Sequence, residues 1–492
     1  MTLPRDGSSP ETVLADLEAM RADDAPVHGG RVLAYVYDAG VEGLPETARA
    51  ALAAFGEVNA LDPTVFPSVG QIENDLVGWG LDLLGGGLDA RGVVTSGGTE
   101  SCMLAVLAAR SHWRAAGGQG RPVVVVPVTG HAAFAKAAHV LDMDLRTLPV
   151  DPVTMRVRVE DVAAALDEVG QAAALVVVSS PSYAHGVVDP VAEVAALAAA
   201  RGVACHSDAC IGGLVLPYLR RSGRAIPDFD LAVPGVRSVS ADLHKYGFAP
   251  KGASLLLFSD AAYREGAFFA FSAWPGYPVV NTTLQSTKSA GPMAAAWAVS
   301  RVLGDAGMAA AVQRSIEATD RIVAAIADIP GLRVAGTPDS TLIALCADGD
   351  EAAGGVDPFV LADRMRARNW FIQPQPAFED LPRTVHLTVQ PASLATVEEF
   401  VADLAAAAAE CRSLPWATVD PSLAAALDGI DPATLDEATV ADLLAFAGMA
   451  GDGAAGLPEE SAGIQALIES APVALRDRLL TGFFSLLFTP HR

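Results

Sequence analysis

The run V-R-S-V-S-A-D-L-H-K-Y-G-F-A-P-K-G-A-S-L, from Val236 to Leu255, decides how this chain is read. It opens with the alternation of a strand at Val236, Ser238 and Ser240. It ends at His244-Lys245 in a polar segment broken by glycine and proline, and a second apolar run, Ala253 to Phe258, follows at once. An ammonium at the tip of a buried strand is costly unless it is paired or put to use. A solvated loop lysine is the commoner fate of any one lysine, so the neighbouring segments have to decide.

Upstream, strands and helices alternate. Pro122 to Val128 reads as a buried strand and His131 to Val140 as a helix; Ala173 to Ser179 reads as a strand and Pro190 to Arg201 as an alanine-rich helix. Val203 to His206, Val236 to Ser240 and Ser254 to Phe258 supply further strands. This order predicts an α/β fold with a mostly parallel, doubly wound sheet, whose ligands lie at the carboxyl ends of the strands. Polar residues recur just past the strands: Thr99, His131, Ser180, Asp208 and Lys245. Five such tips point to one shared site.

Each tip has two readings. Gly92 to Arg110 passes from a short strand through S-G-G-T into a helix, whose free amides form an anion cradle fit for a cofactor phosphate; a plain strand-to-helix turn looks the same. Asp208, in C-H-S-D-A-C, is a helix N-cap or the partner of a cation. A protonated pyridine nitrogen is such a cation. His131 is a capping histidine or a ring stacked on a cofactor face. A desolvated Lys245 is able to form a Schiff base with pyridoxal phosphate, and Asp208 would then keep the ring an electron sink.

Charge and composition narrow the classes. With 33 basic against 58 acidic residues, the net charge of −25 argues against nucleic acid and anionic membrane as partners. Five scattered cysteines without a C-x-x-C pair read as reduced thiols in a cytoplasmic protein. No apolar run is long enough to span a membrane. The 492 residues divide into an N-terminal arm (1–75), a large domain (76–300), a smaller α+β domain (301–414) and an acidic helical extension (415–492), with a flexible G-D-G-A-A-G-L-P-E-E at 451–460. The aromatic stretch Phe268 to Asn281 reads as subunit packing or as a hydrophobic entrance for an alkyl chain.

Five runs then carry a family resemblance: T-S-G-G-T-E-S (Thr95 to Ser101), H-A-A-F-A-K-A-A (His131 to Ala138), H-G-V-V-D-P (His185 to Pro190), H-S-D-A-C-I-G-G (His206 to Gly213) and S-V-S-A-D-L-H-K-Y-G-F-A-P-K-G (Ser238 to Gly252). Together they resemble pyridoxal-phosphate enzymes of fold type I, and within them the sphingosine-1-phosphate lyase branch of the group II decarboxylase family. The resemblance implies that Lys245 forms the Schiff base, Asp208 pairs with the pyridine nitrogen, His131 stacks on the ring, and Gly98, Thr99 and His244 hold the cofactor phosphate. It implies that Ser286 and Thr287 reach the neighbouring subunit's cofactor in a homodimer. Lys251 would bind a substrate phosphate near Asn59 and Asp62, with Tyr183 beside the reacting carbon. The implied reaction is retro-aldol cleavage of a phosphorylated long-chain amino alcohol.

The chain departs from that pattern at Asp62, where the lyases usually carry histidine, at Phe248 (usually tyrosine) and at Thr287-Lys288 (usually serine-arginine). Asp62 would repel a substrate phosphate unless a cation intervenes. Amino-acid decarboxylation is the alternative that the same cofactor geometry would serve. A degenerate, non-catalytic binder is a third reading, which the presence of Lys245, Asp208 and His131 disfavours.

Overall fold

The computed structural model describes residues 3, 5–446 and 460–490. Its centre is a seven-stranded sheet: β1 (Arg91–Thr95), β2 (Val123–Pro127), β3 (Asp144–Leu148), β4 (Ala173–Ser179), β5 (Ala204–Asp208), β6 (Val236–Ala241) and β7 (Ser254–Phe258), in the order β1-β7-β6-β5-β4-β2-β3. Only β7 runs against its neighbours, pairing antiparallel with β1 and β6. The continuous Ala/Leu/Val runs of β4 and the Leu run of β7 suit strands covered on both faces, and both are buried throughout. Separate apolar cores fill the two sides of the sheet.

Register sets the site. Ser179 pairs with Asp208, and Asp208 with Ser240. The next residue of β6, Ala241, pairs with Leu255, which pairs in turn with Val94. The carboxyl ends of β1, β4, β5 and β6 therefore share one rim, where the helix Gly98–Ala115 also begins.

A two-stranded hairpin follows, β8 (Phe269–Phe271) and β9 (Val279–Asn281), in the aromatic segment read as subunit packing or an apolar entrance. Its Phe269, Phe271, Trp274 and Tyr277 are exposed. A long helix, Gly291–Ile326, follows, broken at Gly304, whose φ of 58° takes it out of helical geometry. Beyond the break lies an antiparallel sheet of β10 (Leu332–Val334), β11 (Leu342–Ala347), β12 (Gln373–Gln375) and β13 (Thr384–Thr388), ordered β10-β11-β13-β12. Just before β12, Phe371 pairs with Val32 of the N-terminal arm.

Among the described residues, four α-helices follow Leu414: Pro421–Asp428, Glu437–Phe446, Ala462–Ser470 and Val473–Leu487. The segment read as flexible, 451–460, lies outside the described residues except for Glu460. No described helix is long and apolar enough to cross a membrane.

Candidate active site

A tight turn follows β6 and carries Asp242, His244 and Lys245. It is sterically closed: a Cβ on Gly247 would lie 2.4 Å from the Leu243 carbonyl oxygen. Tyr246 anchors it, donating to the Val389 carbonyl at 2.7 Å and accepting from Thr341 at 2.6 Å. Lys245 thus points into a cavity of roughly 350 Å³ at the sheet's rim. Gly98, Thr99, His131, Tyr183, Asp208 and His244 line the same cavity.

Lys245 Nζ lies 2.9 Å from Asp242 Oδ2. Burial pulls the ammonium's pKa down, but Asp242, with Cys210 and Tyr37, more than reverses this and leaves it well above its ordinary value. The ammonium is that carboxylate's close partner, and no other group hydrogen-bonds to either Asp242 oxygen. His244 Nε2 stands 3.6 Å from the same carboxylate, its Nδ1 is likewise unpartnered, and burial holds its pKa below the ordinary value.

Asp208 ends β5, with Oδ1 accepting from the Cys210 amide and the Ser240 hydroxyl, both at 3.1 Å. Burial pushes its pKa up; His131, His206, the Cys210 contact and Lys245 outweigh that, so the carboxyl stays below its ordinary value. The Cys102 and Cys210 sulfurs lie within 4.8 Å of an Asp208 oxygen, the one set with metal-ligand spacing among the described residues. Both thiols titrate above their ordinary value, Cys210 chiefly through its contact with Cys102. Protonated thiols are poor metal ligands.

The glycines make room. Gly97 gives the helix Gly98–Ala115 no capping side chain, and a Cβ on Gly98 would lie 2.7 Å from Asp242 Oδ2 and 3.0 Å from Cys210 Sγ. Glu100 braces this turn, accepting from the Ser96 amide at 2.6 Å and from Leu284 at 2.8 Å. His131 lies at the exposed mouth, its Nδ1 accepting from the Ala133 amide at 3.1 Å. Tyr183 donates to Gln373 Oε1 at 2.8 Å and stacks on His386 with centroids 4.1 Å apart.

Ser180 does not join this group: its hydroxyl pairs with Ser207 at 2.9 Å in the sheet interior. Lys251 lies in an adjoining cleft with Tyr37, its Nζ donating to the Tyr35 and His244 carbonyls at 3.1 and 3.2 Å. Desolvation and Lys245 lower its pKa to about 8. Asn59 pairs with Ser289, and Asp62 accepts from Thr64 within its own turn. Asp62 and Ser286 line a separate cleft with Lys288, and Thr287 lines another beside it. Sequence reading missed Asp242, Gln373 and His386. Asp242 alone left a signal, the i, i+3 spacing from a lysine at a strand tip.

An anion cradle, a buried carboxylate, a lysine and unpartnered polar atoms sharing one rim fit pyridoxal phosphate, and with the mostly parallel sheet they define a pyridoxal-phosphate enzyme of fold type I. The chain belongs to the pyridoxal-dependent decarboxylase family, whose conserved domain matches residues 51–345. Residues 421–486 match a second family, the putative C-terminal helix-turn-helix domain of pyridoxal-dependent enzymes. The chain is 34% identical to the sphingosine-1-phosphate lyase of rice over 82% of its length and 73% of that protein's. It is 31% identical to the mouse lyase over 90% and 75%. A solved Burkholderia pseudomallei sphingosine-1-phosphate lyase superposes with a TM-score of 0.78 at 33% identity, covering 84% of this chain and 93% of that one. Lactobacillus brevis glutamate decarboxylase, at 20% identity and a TM-score of 0.73, shares the fold. The protein is a pyridoxal-phosphate-dependent lyase, similar to the sphingosine-1-phosphate lyases.

Proposed function

We propose that the enzyme cleaves the Cα–Cβ bond of a phosphorylated long-chain amino alcohol, yielding a long-chain aldehyde and an amino-alcohol phosphate. The observation that carries this reading is the convergence of Lys245, Asp208 and Tyr183 on one cavity beside the Lys251 cleft. Bound pyridoxal phosphate supplies the electron sink for the pair left by the breaking bond.

The chain's own groups do the rest. Asp208, its carboxyl held below the ordinary pKa despite burial, would pair with the protonated ring nitrogen of that group. The first amides of the Gly98 helix and the His244 ring would hold its phosphate, and His131 would cover its ring. Lys245, once its nitrogen is free, would take the proton that the substrate β-hydroxyl loses as the aldehyde forms and return it to Cα of the amino-alcohol phosphate, with Asp242 stabilising the ammonium in between. Burial keeps the Tyr183 phenol protonated, so it orients the substrate hydroxyl without removing its proton. Lys251, with a pKa of about 8, is cationic near neutrality and receives the substrate phosphate.

Asn59, Asp62, Ser286 and Thr287 stay outside the Lys245 cavity. We place them in the partner's site within a homodimer, and the exposed aromatics of β8–β9 supply apolar surface for the contact. Reduced cysteines agree with a cytoplasmic setting. Purified enzyme is to be incubated with a long-chain-base phosphate and with a panel of amino acids. Long-chain aldehyde supports the reading; carbon dioxide from an amino acid, with no aldehyde, replaces it with decarboxylation.

A further inference from the structure

The C-terminal helices match a family described as helix-turn-helix, yet their charge faces the wrong way for nucleic acid. Residues 421–486 hold ten acidic and two basic side chains, a net of −8. Both arginines are committed internally: Arg476 donates to the Ala471 and Glu469 carbonyls, and Arg478 to that of Leu435. Nucleic-acid recognition needs the opposite sign.

The module's ties lead inward. Asp363 of the small domain accepts from the Ser461 and Ala462 amides, at 2.9 and 2.8 Å, at the start of the helix Ala462–Ser470. At the other end of that helix, Glu469 Oε1 accepts from the Ala377 amide at 2.7 Å, and Oε2 accepts from Arg383 Nε at 2.8 Å. The Glu469 and Arg383 side chains are each only 16% exposed, so the pair is shielded from solvent screening. Ala377 and Arg383 lie at the two ends of the loop joining β12 to β13. The same hairpin holds the active-site tyrosine: Gln373 on β12 accepts its hydroxyl, Gln375 donates to the Ala184 carbonyl at 3.0 Å, and His386 on β13 stacks on its ring.

We propose that Glu469 is a positioning residue for Tyr183: it fixes the β12–β13 loop through Ala377 and Arg383, and so fixes the Gln373 carbonyl that aims the Tyr183 hydroxyl into the cavity. The acidic C-terminal module is then an outer wall of the active site. This rests on the catalytic place given to Tyr183 above, and the test separates the two claims.

The test uses full-length holoenzyme and two readouts: steady-state kinetics, and nitration of Tyr183 by tetranitromethane followed by peptide mass. Glu469→Ala is expected to lower kcat roughly tenfold with KM within about twofold, to nitrate Tyr183 several-fold faster, and to leave the cofactor absorbance unchanged. Gln373→Ala should do the same, and the double variant should be no worse than the poorer single. Glu469→Gln, which keeps an acceptor for Ala377, should recover part of both losses. If Glu469→Ala does not fold, Glu469→Gln and Gln373→Ala decide the matter. Faster nitration with unchanged turnover supports the positioning and removes Tyr183 from the reaction. Wild-type nitration in the folded Glu469 variants overturns the proposal.

Discussion

Lys245 Nζ stands 2.9 Å from Asp242 Oδ2, and no other group hydrogen-bonds to that buried carboxylate. The ammonium is the carboxylate's main compensation, and the carboxylate is what lifts the lysine above its ordinary pKa against burial. A lysine whose folded pKa is raised adds stability that is present below its unfolded value and lost as pH rises through the folded one. Asp242→Asn should remove that contribution. It should also free the amine at lower pH, moving the inflection in the rate of cofactor uptake by the apoprotein down by about one unit or more. Stopped-flow absorbance across pH checks this, and an unmoved inflection would show that Asp242 does not govern the lysine.

Gly98 has space for a hydrogen only. Gly98→Ala puts a methyl group within 2.7 Å of Asp242 Oδ2. Overpacking of this kind costs about 1–3 kcal/mol, and here the displaced group is the lysine's counter-ion. Weaker cofactor retention on dialysis, by about tenfold, and a lower Tm are expected; wild-type retention would place the cofactor phosphate elsewhere.

Acid should loosen the fold before it protonates ordinary carboxylates. Burial holds His185 and His206 at about 4 and His386 at about 3. Depressed histidines contribute stability that is full above about 6.5 and lost as pH falls through their folded values. Asp189, raised by burial to about 6, opposes them between about 4 and 6, since its stabilisation grows as pH falls. Three losses against one gain leave a net slope of up to about two groups, or ~3 kcal/mol per pH unit at most. Tm measured from pH 7 to 4.5 should fall, and less steeply in His386→Asn.

A site shared between subunits predicts complementation. Mixing unfolded Lys245→Ala with unfolded Thr287→Ala and refolding them together should give hybrid dimers with one intact site. Up to about a quarter of wild-type activity should return where each variant alone is inactive. No recovery, with dimers confirmed by sedimentation, would place Thr287 with its own Lys245.

Much of this site was readable because strands advertise their ends. Lys245, Asp208 and Gly98-Thr99 each follow a short apolar run, and register alone brings Asp208 beside Ser240 at the end of β6. Ser180 misled because its backbone ends a strand while its side chain turns toward Ser207. Gln373 and His386 were invisible for a different reason. They lie 190 and 203 residues beyond Tyr183, on strands of the smaller sheet, and no local pattern foretells which strand edge meets a loop of the other domain.

Covalent attachment of pyridoxal phosphate at Lys245 is directly measurable, because the chain has only four lysines, at 136, 245, 251 and 288. Borohydride reduction of the holoenzyme followed by peptide mass mapping should find the pyridoxyl group on Lys245 alone and lose it in Lys245→Ala. A label on Lys251 or Lys288, or none on a protein saturated with cofactor, would contradict the account.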